Sequence, residues 1–247
     1  MSLETEIAAL TSTGKALIDT FNGKKAGIDA ALAAAVAAAP AISRTFYIDQ
    51  VAGDDAAAGT QIAPLKTLAQ AIANTPSGGT LEAVLLTDYT HEVIVHVNNR
   101  RVMVRGDSSA SNTRKLILKD FASISEVGKK SMGAFQMSRA CGLDFADLTL
   151  SLPDNAALNL PLANYYALTY AGGNAMPAHA AVKLYNCVFE LRGTFVGKIC
   201  GPSWGTLSLA AINTSIPAAL EGSIVHSVHA LKDPNTIPWL LTNISRL

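Results

Sequence analysis

The sequence predicts a mainly β chain, a parallel β solenoid over residues 41–247 preceded by a short helical stalk over residues 1–40. Three observations predict it. A figure of apolar strand, bend and apolar strand recurs along the second half of the chain. A short strand, a loop rich in Gly and Asp, and a helical pattern open the β region between residues 45 and 75. Apolar residues spaced by about 3.5 run through the first thirty positions.

The recurring figure is clearest when Leu143-Asp-Phe145-Ala-Asp147-Leu148-Thr-Leu150-Ser-Leu152 is set over Val182-Lys-Leu184-Tyr-Asn186-Cys187-Val-Phe189-Glu-Leu191. Apolar residues coincide at alternate places, and both segments change phase at Asp147 or Asn186. Asp and Asn tolerate the left-handed backbone that a tight bend between strands needs. Leu207 to Ile212 repeats the figure with Ala211 at the bend. Val93, Val95 and Val97, then Asn98-Asn99, then Val102 and Val104 form a fourth version. Lys115–Leu118, Ala134–Met137, Ile224–Leu231 and Ile237–Ile244 are further expected strands. One coil is expected every twenty to thirty residues, and stacked coils bury each other's apolar faces. A β-sandwich also uses short alternating strands, but few Asn-Gly or Asp-Gly hairpin turns link these.

The stalk carries Leu3, Ile7, Leu10, Leu17, Phe21 and Ile28 on a and d positions of a heptad, with Gly14 and Lys24 between them. After Ile28 the apolar set moves to Leu32 and Val36, a stutter-like change of phase. Asn22-Gly23 is a candidate break in the helix. The alanines at 30–39 favour close helix approach. Such a helix is marginal alone and is stabilised by association, so these six apolar residues are the expected self-association seam. An amphipathic helix folded onto the β region is the alternative.

The opening of the β region runs from Thr45 to Thr80. Phe46 and Ile48 alternate with Tyr47 and Asp49 as a strand. Pro64 is placed to begin a helix whose apolar face is Leu65, Leu68, Ala69 and Ile72, and Thr75-Pro-Ser-Gly-Gly ends it. Tyr47-x-Asp49, Gly53-Asp54-Asp55, Gly59, Pro64-x-Lys66-Thr67, Ala71-Ile72 and Gly78-Gly79, with a strand ending Asp88-Tyr89-Thr90, resemble the start of a right-handed parallel β-helix. The resemblance is to bacteriophage tail fibres, tailspikes and related pectate-lyase-like proteins. It implies a capping helix within 45–75 and a homotrimer. It also implies a virion protein that attaches to host surface polysaccharide or another receptor, with its N-terminus on other tail or baseplate proteins. A polysaccharide depolymerase and a purely structural tail connector are the other functions this resemblance allows.

Composition narrows the classes. Lys plus Arg and Asp plus Glu number 19 each, so the chain lacks the basic surface that nucleic-acid binding needs. Only 15% of residues are charged and 49% are hydrophobic, a balance that suits burial against copies of the same chain. Cys141, Cys187 and Cys200 lack metal-type spacing; Cys141 and Cys187 lie in apolar patterns and read as buried free thiols. No basic n-region with an apolar h-region is seen at the start, and the Ala-rich run is too short to span a bilayer, so synthesis in a cytoplasm is expected. The resemblance implies that this is a host's cytoplasm and that the protein takes a place in the virion.

Leu152 to Ala180 interrupts the repeat with Pro153, Pro161, Pro177 and Gly172-Gly173. It also holds Tyr165, Tyr166 and Tyr170, whose flat apolar faces and polar tips suit a sugar or a neighbouring subunit. These are the candidate receptor or glycan residues. No catalytic residues are assigned. Gly201-Pro-Ser203-Trp-Gly205 has the G-x-S-x-G spacing, but a strand pattern follows where a nucleophile elbow needs a helix. Asp144 faces outward by parity and Asp147 lies at a bend, matched in the next repeat by Lys183 and Asn186, so no run of acids crosses the coils. Asp49, Asp54 and Asp55 read as turn acids rather than calcium ligands. His226 and His229 would face opposite sides of a strand. No metal and no cofactor is expected.

Overall fold

The computed structural model describes residues 2–107, 114–156, 160–172, 179–202 and 205–247, with side chains at 37–41 left aside. The chain falls into two compact units, Met1–Ile42 and Ser43–Leu247.

The first unit is one uninterrupted helix, α1 (Leu3–Ile42). Asn22-Gly23 does not break it. Each of those two residues costs a fraction of a kcal/mol to about 1 kcal/mol relative to alanine, and the alanines, lysines and leucines around them compensate. The expected joint at Pro40 is also absent, because the helix runs to Ile42 and the first strand begins at Ser43. Glu4 and Glu6 in the first turn complement the helix dipole. Thr11, Thr13 and Thr20 direct their hydroxyls back to the carbonyls of Ile7, Ala9 and Ala16.

The second unit is mainly β. It opens with β1 (Ser43–Ile48), α2 (Leu68–Asn74) and β2 (Thr80–Leu85). Then come β3 (Tyr89–His91), β4 (Ile94–Asn98), β5 (Arg101–Gly106), β6 (Lys115–Leu118), β7 (Asp120–Ala122), β8 (Lys130–Met132) and β9 (Ala134–Ser138). Next are β10 (Gly142–Ala146), β11 (Thr149–Leu152), β12 (Ala167–Ala171), β13 (His179–Tyr185) and β14 (Val188–Leu191). The last three are β15 (Lys198–Cys200), β16 (Thr206–Ile212) and β17 (Leu240–Thr242). The first sheet has the order β1-β2-β5-β10-β13-β16-β17, the second β14-β11-β6-β3, and the third β15-β12-β9-β4. From β2 to β15 the chain visits first, second and third sheet in turn, four times over. Every strand pair within these sheets is parallel, and β7 with β8 is the one antiparallel strand pair among the described residues. A sandwich of antiparallel strands is therefore excluded.

Register turns the sequence repeat into stacked rows. Inward on the first sheet stand Leu81, Val102, Leu143, Val182 and Leu209, each opposite the next. Phe46, Ala83, Val104, Phe145 and Leu184 form the neighbouring row. All are buried in one apolar core that begins at Phe46. Truncating such a side chain to alanine costs about 2–5 kcal/mol. The interval between register partners is uneven: 21 residues from Thr80 to Arg101, and 41 from Arg101 to Gly142. The longer intervals exceed the expected coil length because the β7–β8 hairpin and the segment after β11 are inserted between the second and third sheets.

The bends are where the repeat predicted them, with two corrections. Asp147 and Asn186 adopt left-handed backbone at φ 53° and 50°. In the third copy that conformation falls on Asn213 at φ 48°, while Ala211 lies inside β16. Asn99 is also left-handed, at φ 51°, but it turns the third sheet into the first, where Arg139 at φ 60° is its counterpart one coil on. The fourth version of the figure therefore marks a different corner. Gly106 occupies the place of Asp147 one coil earlier, and a side chain there would collide with the Asp147 carbonyl.

The helix expected between residues 45 and 75 is shorter than the sequence suggests. Leu65 is not helical: its N–H donates to the Tyr47 carbonyl and its carbonyl accepts from Asp49, so it pairs beside β1. The helix starts at Leu68, with the Thr67 hydroxyl accepting from the Gln70 N–H. Leu68, Ala71 and Ile72 are its buried face. Of the further expected strands, Lys115–Leu118 and Ala134–Met137 are strands. Ile224–Leu231 is irregular, and only Leu240–Thr242 of the last one pairs.

Candidate functional site

The heptad residues keep their apolar side chains in solvent. Leu3, Ile7, Leu10, Leu17, Phe21 and Ile28 are between 56% (Ile7) and 74% (Leu10) exposed. Leu32 and Val36 continue the exposed set. Nearly every described residue of this helix is exposed, so these positions leave apolar surface unburied within the chain.

The three tyrosines separate. Tyr165 is exposed and stacks on Tyr170 with ring centroids 5.0 Å apart. Tyr166 and Tyr170 are buried, which removes the expectation that they meet a glycan. The physical reason is that the segment is only partly an excursion: β12, carrying Tyr170, belongs to the third sheet. Tyr166 reaches inward instead. Its hydroxyl donates to the Asp120 carboxylate and accepts from the Asn155 amide. Asn155 accepts from the Val196 N–H at 3.0 Å, and the Arg192 guanidinium caps the carbonyls of Leu152 and Leu118. Burial and the adjacent Asp120 carboxylate both raise the phenol's pKa. Burial first, and then the neighbouring Tyr165, push Tyr170 up to about 12. The cluster therefore serves to close the corner between the second and third sheets.

The outward acids are paired with cations. Thr45, Glu82, Met103, Asp144 and Lys183 form one outward row of the first sheet. Glu82 and Asp144 are two rungs apart, about 9.5 Å along the sheet. The sequence alignment missed this pair because Glu82 lies in a coil without the Asp147-type bend. Partial burial of Glu82 opposes its charge, but the Arg105 guanidinium at 2.5 Å and the Thr45 hydroxyl outweigh this and lower its pKa. Asp144 lies between Arg101 at 2.9 Å and Lys183 at 3.7 Å. On the second sheet Lys115 holds Glu190 at 2.8 Å and keeps that carboxyl low. A general acid needs the opposite shift. Beside Asp144 an open groove of about 350 Å³ is lined by Arg100, Arg101, Cys141 and Gly142.

The remaining candidates are structural or lie elsewhere. Asp55 accepts from the N–H groups of Lys66 and Thr67 and from the Thr67 hydroxyl, Asp54 from Ala56, and Asp49 from Val51 and Ala52. These bonds spend the acids on turns. Among the described residues no group of three or more His, Cys, Asp or Glu is arranged to hold a metal. Ser203 and Trp204 of the G-x-S-x-G match lie outside the described residues, as do Gly173 and Pro177. Cys187 and Cys200 are buried free thiols, pushed up to about 12 by burial, whereas Cys141 is only partly buried. Cys141 and Cys187 sit in bends rather than strands. His226 and His229 are in an irregular stretch. No described helix is long and apolar enough to cross a membrane.

One groove had no prior signal beyond the rarity of tryptophan, of which the chain has two. It lies between residues 227 and 239, has a volume of about 250 Å³, and has Trp239 on its wall. No protein-family model, no curated protein and no solved structure matches this chain.

Proposed function

We propose that residues 43–247 are a right-handed parallel β-helix, that α1 joins three copies, and that the assembly is a bacteriophage tail fibre or spike. It attaches to host surface polysaccharide or another receptor, with its helical end toward other tail or baseplate proteins. The observation that carries this reading is the exposed heptad stripe on a forty-residue helix followed by parallel sheets visited in rotation. Three copies of one surface convert weak single contacts into tight attachment, because later contacts form at high effective concentration. The low charge content supports burial between copies.

The test has two parts. Sedimentation equilibrium of the full chain is expected to give three times the 25.8 kDa protomer mass. A Leu10→Asp/Phe21→Asp variant is expected to lose that mass, since a buried charge at the seam costs several kcal/mol. Fluorescently labelled trimer is then applied to a panel of bacterial strains and is expected to decorate a subset. A monomer at micromolar concentration, or a trimer that decorates none, overturns the reading.

The outward row holding Glu82 and Asp144 favours a second reading, a polysaccharide depolymerase. Two carboxylates about 6.5–9.5 Å apart suit an inverting hydrolase, but the cations on both acids oppose it. New reducing ends released from a polysaccharide that the protein binds would establish this reading.

A further inference from the structure

We propose that the groove at Trp239 is a saccharide-binding site, with one sugar ring laid against the indole. The inference rests on the reading of the protein as a surface-attachment protein and names where the contact is made.

The groove has the anatomy of a small polar-ligand site. Val228 and Ile237 are buried and line it, and Trp239 is half-buried and packs against the core. Trp239 is anchored at the backbone, where its carbonyl accepts from the Leu207 N–H at 2.8 Å. The residue's backbone is thus fixed by the first sheet, and its side chain packs against the core. Around the rim stand His229, Lys232 and Thr236, all exposed. Among the described residues the His229 and Lys232 side chains make no hydrogen bond and no ion pair. They remain available as donors.

The loop that carries them is held in a demanding conformation. Ser227 at φ 60° and Leu231 at φ 65° are both left-handed. A left-handed leucine costs roughly 1–2 kcal/mol, and such residues concentrate where a loop must present particular side chains. The Leu231 N–H donates to the Leu247 carbonyl, which fixes the loop against the last residue. Thr236, in the following turn, lines the groove, and its hydroxyl donates to the Asp233 carbonyl.

Shape and chemistry select the ligand. At about 250 Å³ the groove falls below the roughly 300–1,000 Å³ of drug-sized sites, which leaves room for one or two rings. A pyranose presents an apolar C–H face to an aromatic plane and a girdle of hydroxyls to a polar rim. An apolar peptide side chain would leave the rim donors unmatched. Three such grooves, one per copy, would supply the multivalency that attachment needs.

The probe is a printed array of bacterial capsular and O-antigen oligosaccharides, applied with the full-length protein. Wild type is expected to bind a subset. Trp239→Ala is expected to lose at least tenfold in apparent affinity. His229→Ala/Lys232→Ala, made on exposed residues and so safe for folding, is expected to lose several-fold. Far-UV circular dichroism and sedimentation check that each variant keeps its fold and mass. If Trp239→Ala does not fold, the double variant decides. Folded variants that bind the array like wild type overturn the site and leave the attachment function standing. Wild type that decorates bacteria but binds no printed glycan does the same. Wild type that binds neither overturns both.

Discussion

His91 is an imidazole in a row of leucines. On the second sheet it stands opposite Leu118, and Leu152 and Leu191 continue that row. It is fully buried, stacked on Phe135 at 4.7 Å, and its Nε2 bonds the Ala134 carbonyl at 3.2 Å. Burial lowers its pKa from 6.5 to about 4. The unfolded chain therefore takes up a proton that the fold refuses as pH falls from about 6.5 to 4. Stability is full above that window, declines through it, and has no further slope from this group below it. At about 1.4 kcal/mol per unit the loss is on the order of 3 kcal/mol. His91→Leu is expected to sacrifice the bond to Ala134, worth about 1 kcal/mol at every pH, and to abolish this acid-side slope. Urea midpoints at pH 7 and pH 4.5 check it: a variant with an unchanged pH slope refutes the argument.

Asn186 shows the same logic for the backbone. Its φ of 50° suits asparagine, and its amide donates to the Asp147 carboxylate at 2.7 Å, one coil below. Asn186→Val would force a β-branched residue into the left-handed region and remove that bond. A destabilisation of about 2–3 kcal/mol is expected, read by thermal unfolding, with Asn186→Gly costing less than half as much. Equal losses would place the effect in the side chain rather than the bend.

At the scale of elements, the two inserted segments are tied to each other by polar groups, while Met132 and Tyr166 anchor them in the apolar core. Glu126 joins the β7–β8 hairpin to the segment after β11: it pairs with Lys129 at 2.6 Å and accepts from the Asn164 N–H at 2.7 Å. Lys130 pairs with that segment through its backbone. Tyr166 completes the tie by holding Asp120 of β7 and Asn155 together. Tyr166→Phe leaves both without their shared partner in a buried corner, so a loss of about 1–3 kcal/mol is expected. If the proposed attachment function holds, binding to bacteria is expected to be unchanged, because the ring is buried. Lost attachment in a folded Tyr166→Phe protein would return this residue to the binding surface.

At the scale of the molecule, the rows of Leu, Val and Phe and the bends at Asp147 and Asn186 were legible because they are local. Period two sets which side chain faces inward, and Asp or Asn sets where the strand can turn. The forty-residue span of α1 was not legible, since Asn22-Gly23 signals a break that neighbouring helix formers overrule. Local patterns also placed Leu65 in a helix, where pairing with Tyr47 and Asp49 holds it extended. Alternation cannot say which strand pairs with which, so the parallel order of three sheets, and the corner to which Asn99 belongs, depended on register between residues far apart. The same holds for function. Exposed heptad residues could be named from spacing, but the burial of Tyr166 and Tyr170 and the wall position of Trp239 follow from packing between strands far apart in sequence, which no single stretch of chain encodes.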